Sequence, residues 1–341
     1  MERALELAAR GLGHTRPNPA VGAVVVKGGR IVGEGWHRRA GGDHAEVAAI
    51  KNALGRIGRG GPGGRPLKGA AIYVTLEPCS RPGRVGACTD AIAAAGISRV
   101  VYALPDPNPK NRGKAKRALA RAGVRCERLR DGAVVSRARQ LVEPFAKHVA
   151  TGLPYVTVKI AMSLDGRICD SRGNARWISS EAARRETGRM RERVDAIMVG
   201  GETIRRDDPS LLSHGRPNPD LVRVVVSRSG RLPRDAQVFT DGAPNKTLVF
   251  DDARKALVEL GKMGILHVLC EGGLKLATSL AEDGLVDSWC SVVSSCVVGS
   301  RPVRDKIVFH ASDAASGVHF AGGDLLMHSY KAKEPRKSGQ Q

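Results

Sequence analysis

The sequence predicts an α/β protein made of two successive α/β domains, and three observations support that prediction. Its 341 residues exceed one ordinary domain and suit two. Short apolar runs alternate with helix-period segments through both halves, the pattern of layered α/β folds. Near residues 141–154 a helical pattern stops at Gly152-Leu153-Pro154, and a fresh strand series opens at Tyr155. That break separates a first domain at 1–150 from a second at 151–330, leaving 331–341 as a flexible basic tail without periodicity.

The elements follow in order. Met1, Glu2 and Arg3, then Ala and Leu residues interrupted by Glu6 and Arg10, predict an amphipathic helix rather than a signal peptide. Residues 21–26 and 30–35 flank Lys27-Gly28-Gly29 and predict a hairpin. A helix over 44–54, a strand over 70–75, a helix over 88–95 and a strand over 99–104 come next, the last closed by Pro105-Asp106-Pro107. A helix over 115–122 ended by Gly123 and a strand near Val124 complete the first set. The second half predicts strands over 155–161, 196–199, 222–226, 247–250, 265–270 and 287–293, and helices over 181–193, 253–261 and 274–281. Gly58-Arg59-Gly60-Gly61-Pro62-Gly63 satisfies G-x-G-x-x-G, yet it follows a helix and precedes a strand, the reverse of a dinucleotide fingerprint, and reads as a loop. Pro-Asn-Pro occurs at 17, 107 and 217 with unequal spacing and dissimilar flanks, so it marks no repeat.

The formal charge is +21, and residues 1–150 carry most of it, with 27 Lys and Arg against 11 Asp and Glu. Such a field favours anionic partners, either phosphorylated small molecules or nucleic acid. Base-stacking aromatics are scarce there (Trp36, Tyr73, Tyr102, Phe145), which argues against a nucleic-acid partner. No apolar run approaches bilayer length, so no membrane partner is expected and the cytoplasm is the expected location. Seven scattered cysteines do not make a secreted disulfide framework and point instead to ligands or packed thiols.

His44-Ala45-Glu46 opens a predicted helix, while Pro78-Cys79 and Cys88 lie in and at the end of a loop after a strand. Zinc deaminases need three nitrogen or sulfur ligands, a place for water, and a carboxylate that moves protons without binding the metal. His44, Cys79 and Cys88 fit as zinc ligands, and Glu46 as the catalytic proton carrier. Cys88 at a helix start gains from the dipole, which favours its thiolate. Cys126, Cys169, Cys270, Cys290 and Cys296 sit mostly in strand-like apolar segments and read as packed thiols.

Eight residues separate Cys79 from Cys88, in place of the Cys-x-x-Cys of most nucleoside and nucleic-acid deaminases. Pro17-Asn18-Pro19-Ala20-Val21-Gly22, Gly33-Glu34-Gly35-Trp36-His37, Thr75-Leu76-Glu77-Pro78-Cys79-Ser80, Gly83-Arg84 and Asp106-Pro107-Asn108-Pro109 accompany the zinc residues. The second half adds Lys159 to Arg167 (KIAMSLDGR), Trp177-Ile178-Ser179, Asp195 to Gly200, Thr203, Asp207-Asp208-Pro209 and Glu271-Gly272-Gly273. Together these resemble the bifunctional deaminase/reductase family of riboflavin biosynthesis, over about residues 1–330.

The resemblance implies a cytidine-deaminase-like α/β/α domain followed by a dihydrofolate-reductase-like α/β domain, with Zn2+ and NADPH as cofactors. It implies hydrolytic deamination of a phosphorylated ribosylaminopyrimidine and then reduction of its ribosyl group to ribityl. By position, Asn18 corresponds to a substrate contact in the first domain; Arg191, Leu211 and Glu271 do so in the second. Ala161, Trp177, Thr203, Asp207 and the stretch from Gly273 correspond to cofactor contacts. A homo-oligomer, dimer or tetramer, is implied as well. The chain departs from the family at Arg81, Ala175, His214 (Arg216 being the nearest arginine), Ser227-Arg228 and Leu274. Two other readings stay open: a paralogue acting on a related pyrimidine, because fold does not fix substrate, and a nucleic-acid-editing deaminase.

Overall fold

A computed structural model describes residues 1–58, 65–81, 86–169, 178–213, 217–298 and 317–330; most of the glycine-rich segment 58–63 and the tail at 331–341 lie outside them. The chain divides into two compact units that part between Pro154 and Tyr155, with Gly264–Leu266 grouped with the first. Among the described residues no helix is long and apolar enough to cross a membrane.

The first unit contains α1 (Glu2–Ala9), β1 (Gly22–Lys27), β2 (Arg30–Trp36), α2 (Ala45–Ile57), β3 (Ala71–Leu76), α3 (Cys88–Ala94), β4 (Arg99–Leu104), α4 (Ala115–Arg121), β5 (Arg125–Arg128) and α5 (Gly132–Thr151). Its five-stranded sheet has the order β2-β1-β3-β4-β5. β1 pairs antiparallel with β2 and β3, while β3, β4 and β5 run parallel. Val25, Ile72, Val74 and Val100 pack against Ala45, Ala49 and Ala53 of α2, Ile92 of α3 and Leu119 of α4. A second cluster joins Leu5 of α1, Leu76 and Ala103 to Val134, Ala138 and Val142 of α5. Helices therefore seal two apolar surfaces around one sheet, giving an α/β/α sandwich.

One contact sets the position of the chemistry. A Cβ on Gly33 would lie 2.3 Å from the Ala49 carbonyl oxygen, and one on Gly35 would lie 2.3 Å from the Ala49 nitrogen. Only strand residues without side chains let α2 lie this close to β2, so these two glycines fix the depth at which the helix presents its first turn. At the far end of the unit, Asp131 caps α5 by accepting from the Ala133 and Val134 amides. Gly152, at φ 74°, closes the helix with its N–H on the His148 carbonyl, which explains the break read at Gly152-Leu153-Pro154.

The second unit contains β6 (Tyr155–Met162), α6 (Glu181–Met190), β7 (Ala196–Gly200), α7 (Gly201–Asp207), β8 (Val222–Val226), α8 (Gln237–Thr240), β9 (Thr247–Phe250), α9 (Ala253–Lys262), β10 (His267–Cys270), α10 (Leu274–Glu282), β11 (Ser288–Val293), β12 (Gly317–Ala321) and β13 (Asp324–Tyr330). The sheet order is β12-β13-β11-β6-β10-β7-β8-β9. From β11 through β9 the strands run parallel; the β12–β13 hairpin is antiparallel and closes one edge. The carboxyl ends of the neighbouring strands β7 and β10 fall at Gly200 and Cys270, the kind of edge where open parallel sheets bind ligands.

Several elements differ from the sequence expectation. α7 opens on glycine and α8 is a single turn, so neither shows helical periodicity; the β12–β13 hairpin turns at Gly322-Gly323 (φ 60° and 88°) beyond the last predicted strand. α6 ends at Met190, short of the expected 193, with Arg191 as its C-cap.

Candidate active sites

Three residues from separate parts of the first unit converge. His44 is the N-cap of α2, Cys88 is the first residue of α3, and Cys79 lies in the turn after β3. His44 Nδ1 is 3.3 Å from Cys88 Sγ and 3.6 Å from Cys79 Sγ. Their ligand atoms all lie within 4.8 Å of one another, and among the described residues no other such group of three is found. The turn is bound to the α3 terminus: the Cys88 N–H donates to Cys79 Sγ (3.3 Å) and the Thr89 N–H to the Cys79 carbonyl (3.2 Å). Glu46, two residues into the first turn of α2, is 4% exposed and stands outside the donor group.

Burial and close approach shift the ionisable groups of this site. Donation from the Cys88 thiol to Cys79 holds Cys79 down at about 4, with His44 adding to the effect. The same bond and burial push Cys88 up, since its ionisation would set a second anion against Cys79 and Glu46. Burial, then the Cys79 charge, pushes Glu46 up to about 7. Two cysteine sulfurs and an imidazole, with His44 and Cys88 at helix N-termini, suit a divalent, thiophilic ion that would displace the Cys88 proton, and the donor set fits tetrahedral zinc with a place for water.

Asn18 is held beside this group. Its amide Nδ2 lies 3.1 Å from His37 Nε2, and His37 Nδ1 lies 3.0 Å from the Asp43 carbonyl. Those partners assign the proton to Nδ1, so that His37 donates to Asp43 and accepts from Asn18. Burial pushes His37 down, towards the neutral form this bridge requires. Its ring meets the His44 ring edge-on at 5.4 Å. In the sequence His37 stands alone after Gly-x-Gly-x, a place that gives no sign of a shared hydrogen bond.

At the second unit's sheet, the expected residues are distributed differently. Arg191 and Glu271, both read as substrate contacts, grip each other in a two-pronged ion pair (3.0 and 2.9 Å), and Arg191 Nη1 also donates to the Leu212 carbonyl at 3.0 Å. Both side chains are largely buried. Leu211 buries its side chain in the cluster of Val194, Ile197, Ile204 and Leu269, and takes φ 57°. Whatever Leu211 offers a ligand therefore comes from its main chain. Thr203 and Asp207 lie on α7, directly after β7. Gly273 is the N-cap of α10, and a Cβ on the preceding Gly272 would lie 3.3 Å from the Gly200 nitrogen, so the β7 and β10 ends approach closely. Ala161 packs beside Ala183, Val292 and Leu326. Trp177, Ala175, His214 and Arg216 lie outside the described residues.

The pair of units defines a class of protein: a zinc-binding hydrolytic deaminase continued in the same chain by a nicotinamide-dependent reductase. Residues 1–104 match the family model for the cytidine and deoxycytidylate deaminase zinc-binding region, and residues 154–316 match the RibD C-terminal domain. The riboflavin biosynthesis protein RibD of Aquifex aeolicus is 36% identical over 88% of this chain and 87% of its own length. Two solved structures are similar throughout: Acinetobacter baumannii RibD (TM-score 0.80, 32% identity, 97% and 98% of the two chains) and a Thermotoga maritima diaminohydroxyphosphoribosylaminopyrimidine deaminase/5-amino-6-(5-phosphoribosylamino)uracil reductase (TM-score 0.82, 30% identity, 97% of each chain). The chain belongs to the RibD family of riboflavin biosynthesis, which joins a zinc-dependent deaminase to an NADPH-dependent reductase.

Proposed function

We propose that the first unit hydrolyses the 2-amino group of 2,5-diamino-6-(5-phosphoribosylamino)pyrimidin-4(3H)-one, releasing ammonia. The second then reduces the ribosyl group of 5-amino-6-(5-phosphoribosylamino)uracil to ribitylamino with hydride from NADPH. The observation that carries the proposal is the His44–Cys79–Cys88 group with Glu46 buried beside it, in a chain of this family. Zinc, when bound by those three residues, supplies the acidity that lets water ionise near neutral pH. Glu46 takes the water's proton and passes it to the ring nitrogen and then to departing ammonia; a carboxyl raised towards 7 by burial suits both halves of that task. Asn18, oriented by His37, presents its amide oxygen to the pyrimidine.

In the second unit the proposal gives NADPH to Ala161, Trp177, Thr203, Asp207 and the α10 N-terminus at Gly273, where main-chain N–H groups favour a pyrophosphate. Arg191, Leu211 and Glu271 meet the substrate, Leu211 through its main chain. The basic charge of the chain supports a phosphorylated substrate. The proposal extends to a cytoplasmic homo-oligomer, a dimer or a tetramer, which analytical ultracentrifugation tests. Mass spectrometry of the reaction tests the chemistry: conversion of the amine to a carbonyl without NADPH, followed by gain of two hydrogens with it, is the expected result. No conversion of this substrate by zinc-loaded protein would redirect the reading to a related pyrimidine.

A further inference from the structure

Glu77 follows β3 directly and lies two residues before the ligand Cys79, and the chemistry proposed above gives it no part. It is 3% exposed. Its Oε2 accepts the main-chain N–H groups of Asp106 (3.2 Å) and Gly113 (3.0 Å), and its Oε1 accepts that of Ala115 (3.2 Å). Ala115 is the first residue of α4, whose N-cap, Lys114, makes no side-chain cap and whose first turn holds no acid but includes Lys116 and Arg117. A helix that opens on cations works against its own dipole and leaves its first N–H groups short of acceptors. Glu77 supplies the missing acceptor from a different element.

The same loop is fastened a second time. Asn111, 8% exposed, accepts through Oδ1 from the Ser80 N–H (2.9 Å) and the Ser80 hydroxyl (3.2 Å), and donates through Nδ2 to Asp106 Oδ2 (2.8 Å). The fastenings at Glu77 and Ser80 bracket Pro78-Cys79. His44 and Cys88 owe their positions to helix starts packed on the core, but Cys79 lies in neither helix nor strand. The Cys88 and Thr89 N–H groups hold it from the α3 side, and what fastens this turn must hold it from the other.

We infer that Glu77 is a positioning residue of the metal site: it locks residues 106–115 against Pro78-Cys79-Ser80 and so keeps the Cys79 sulfur in place between His44 and Cys88. Glu77→Gln preserves shape but turns one acceptor into a donor, so at least one of the three buried N–H groups loses its partner. Outer partners of metal ligands commonly change metal affinity by about 10- to 100-fold. The kinetic part of the test rests on the deaminase reading above, whereas the metal part does not.

The experiment loads the full chain with zinc and follows the first-order release of zinc to excess colorimetric chelator. Glu77→Gln is compared with wild type, with Asn111→Ala and with Val100→Ala, a core change in β4 that lowers thermal stability without touching either fastening. The inference expects zinc release at least about tenfold faster in Glu77→Gln, a smaller rise in Asn111→Ala, and near wild-type release in Val100→Ala. In the same samples NADPH-dependent reduction of the deaminated substrate stays unchanged, while deaminase kcat falls more than KM rises. Release from Glu77→Gln at the wild-type rate, or no faster than from Val100→Ala, overturns the inference. Should Glu77→Gln not fold, Asn111→Ala against Val100→Ala decides alone. Wild type that holds zinc but does not deaminate refutes the substrate reading and leaves the release comparison standing.

Discussion

The two units build their sites in opposite ways. The first gathers side chains, with two helix starts and one fastened turn bringing His44, Cys88 and Cys79 within 4.8 Å, and Glu46 buried alongside. The site proposed in the second relies on backbone, with glycines at strand ends, an N-cap at Gly273, and a left-handed Leu211 whose side chain faces inward. Arg191 and Glu271 hold each other. A metal accepts few donor types, so it stamps itself on residue identity, whereas a dinucleotide cradle asks for main-chain N–H groups that almost any side chain can accompany.

Several experiments probe that contrast. Stripping zinc with a chelator should abolish deamination while NADPH-dependent reduction continues; loss of both activities, read by mass spectrometry, would show that the units are not chemically separate. Glu46→Gln should retain zinc, as measured by elemental analysis, and lose about 10²- to 10⁴-fold in deamination. A smaller loss would mean that the carboxyl only shapes the site.

In the second unit, Arg191→Met removes the two-pronged bond that Glu271 accepts in a largely buried setting. It should destabilise that unit by roughly 3 kcal/mol in urea denaturation, and the double variant Arg191→Met/Glu271→Gln should recover much of that loss. Equal destabilisation by the single and double variants would break the idea that the pair is mutual.

The smallest expected effect concerns pH. Burial, then the neighbouring His319, lowers His328 below its ordinary 6.5. The two rings are stacked at 6.0 Å, Cys290 lies opposite on β11, and Glu186 lies near on α6. Below 6.5 the unfolded chain binds the proton more readily than the folded one, so this histidine makes stability fall as pH drops from 6.5 towards the folded value. The slope cannot exceed about 1.4 kcal/mol per pH unit. His328→Gln should flatten that part of a stability-versus-pH curve, and an unchanged slope would assign the effect to another group.

The first unit was the more legible in sequence for the same reason. Gly33-x-Gly35, His44-x-Glu46, Pro78-Cys79 and Cys88 are residue types with few substitutes in their roles, and the hairpin and strand boundaries fell within a residue or two of those observed. Glu77 and His37 were visible as letters but not as partners, because their roles depend on residues 29 to 38 positions away in Glu77's case and 19 in His37's. In the second unit Arg191 and Glu271 were singled out separately, and nothing local to either announces the other across 80 residues. Leu211 illustrates a different limit: leucine rarely adopts positive φ, so no sequence rule assigns it a turn that buries the side chain. α7 stayed hidden because it opens on Gly201, and helix propensity argues against such a start.

The close seat of α2 on β2 bears on attempts to alter this protein. Even the smallest added side chain at Gly33 or Gly35 would intrude to 2.3 Å of the α2 backbone, and the helix would have to lift off the strand to admit it. Since that helix begins at His44, a methyl group on the strand would shift a metal ligand that it never touches. Libraries meant to broaden the substrate range of the deaminase should therefore leave these two codons fixed, since the space beside both residues is filled by α2. A screen that found them invariant would be reporting on clearance between backbones and not on recognition.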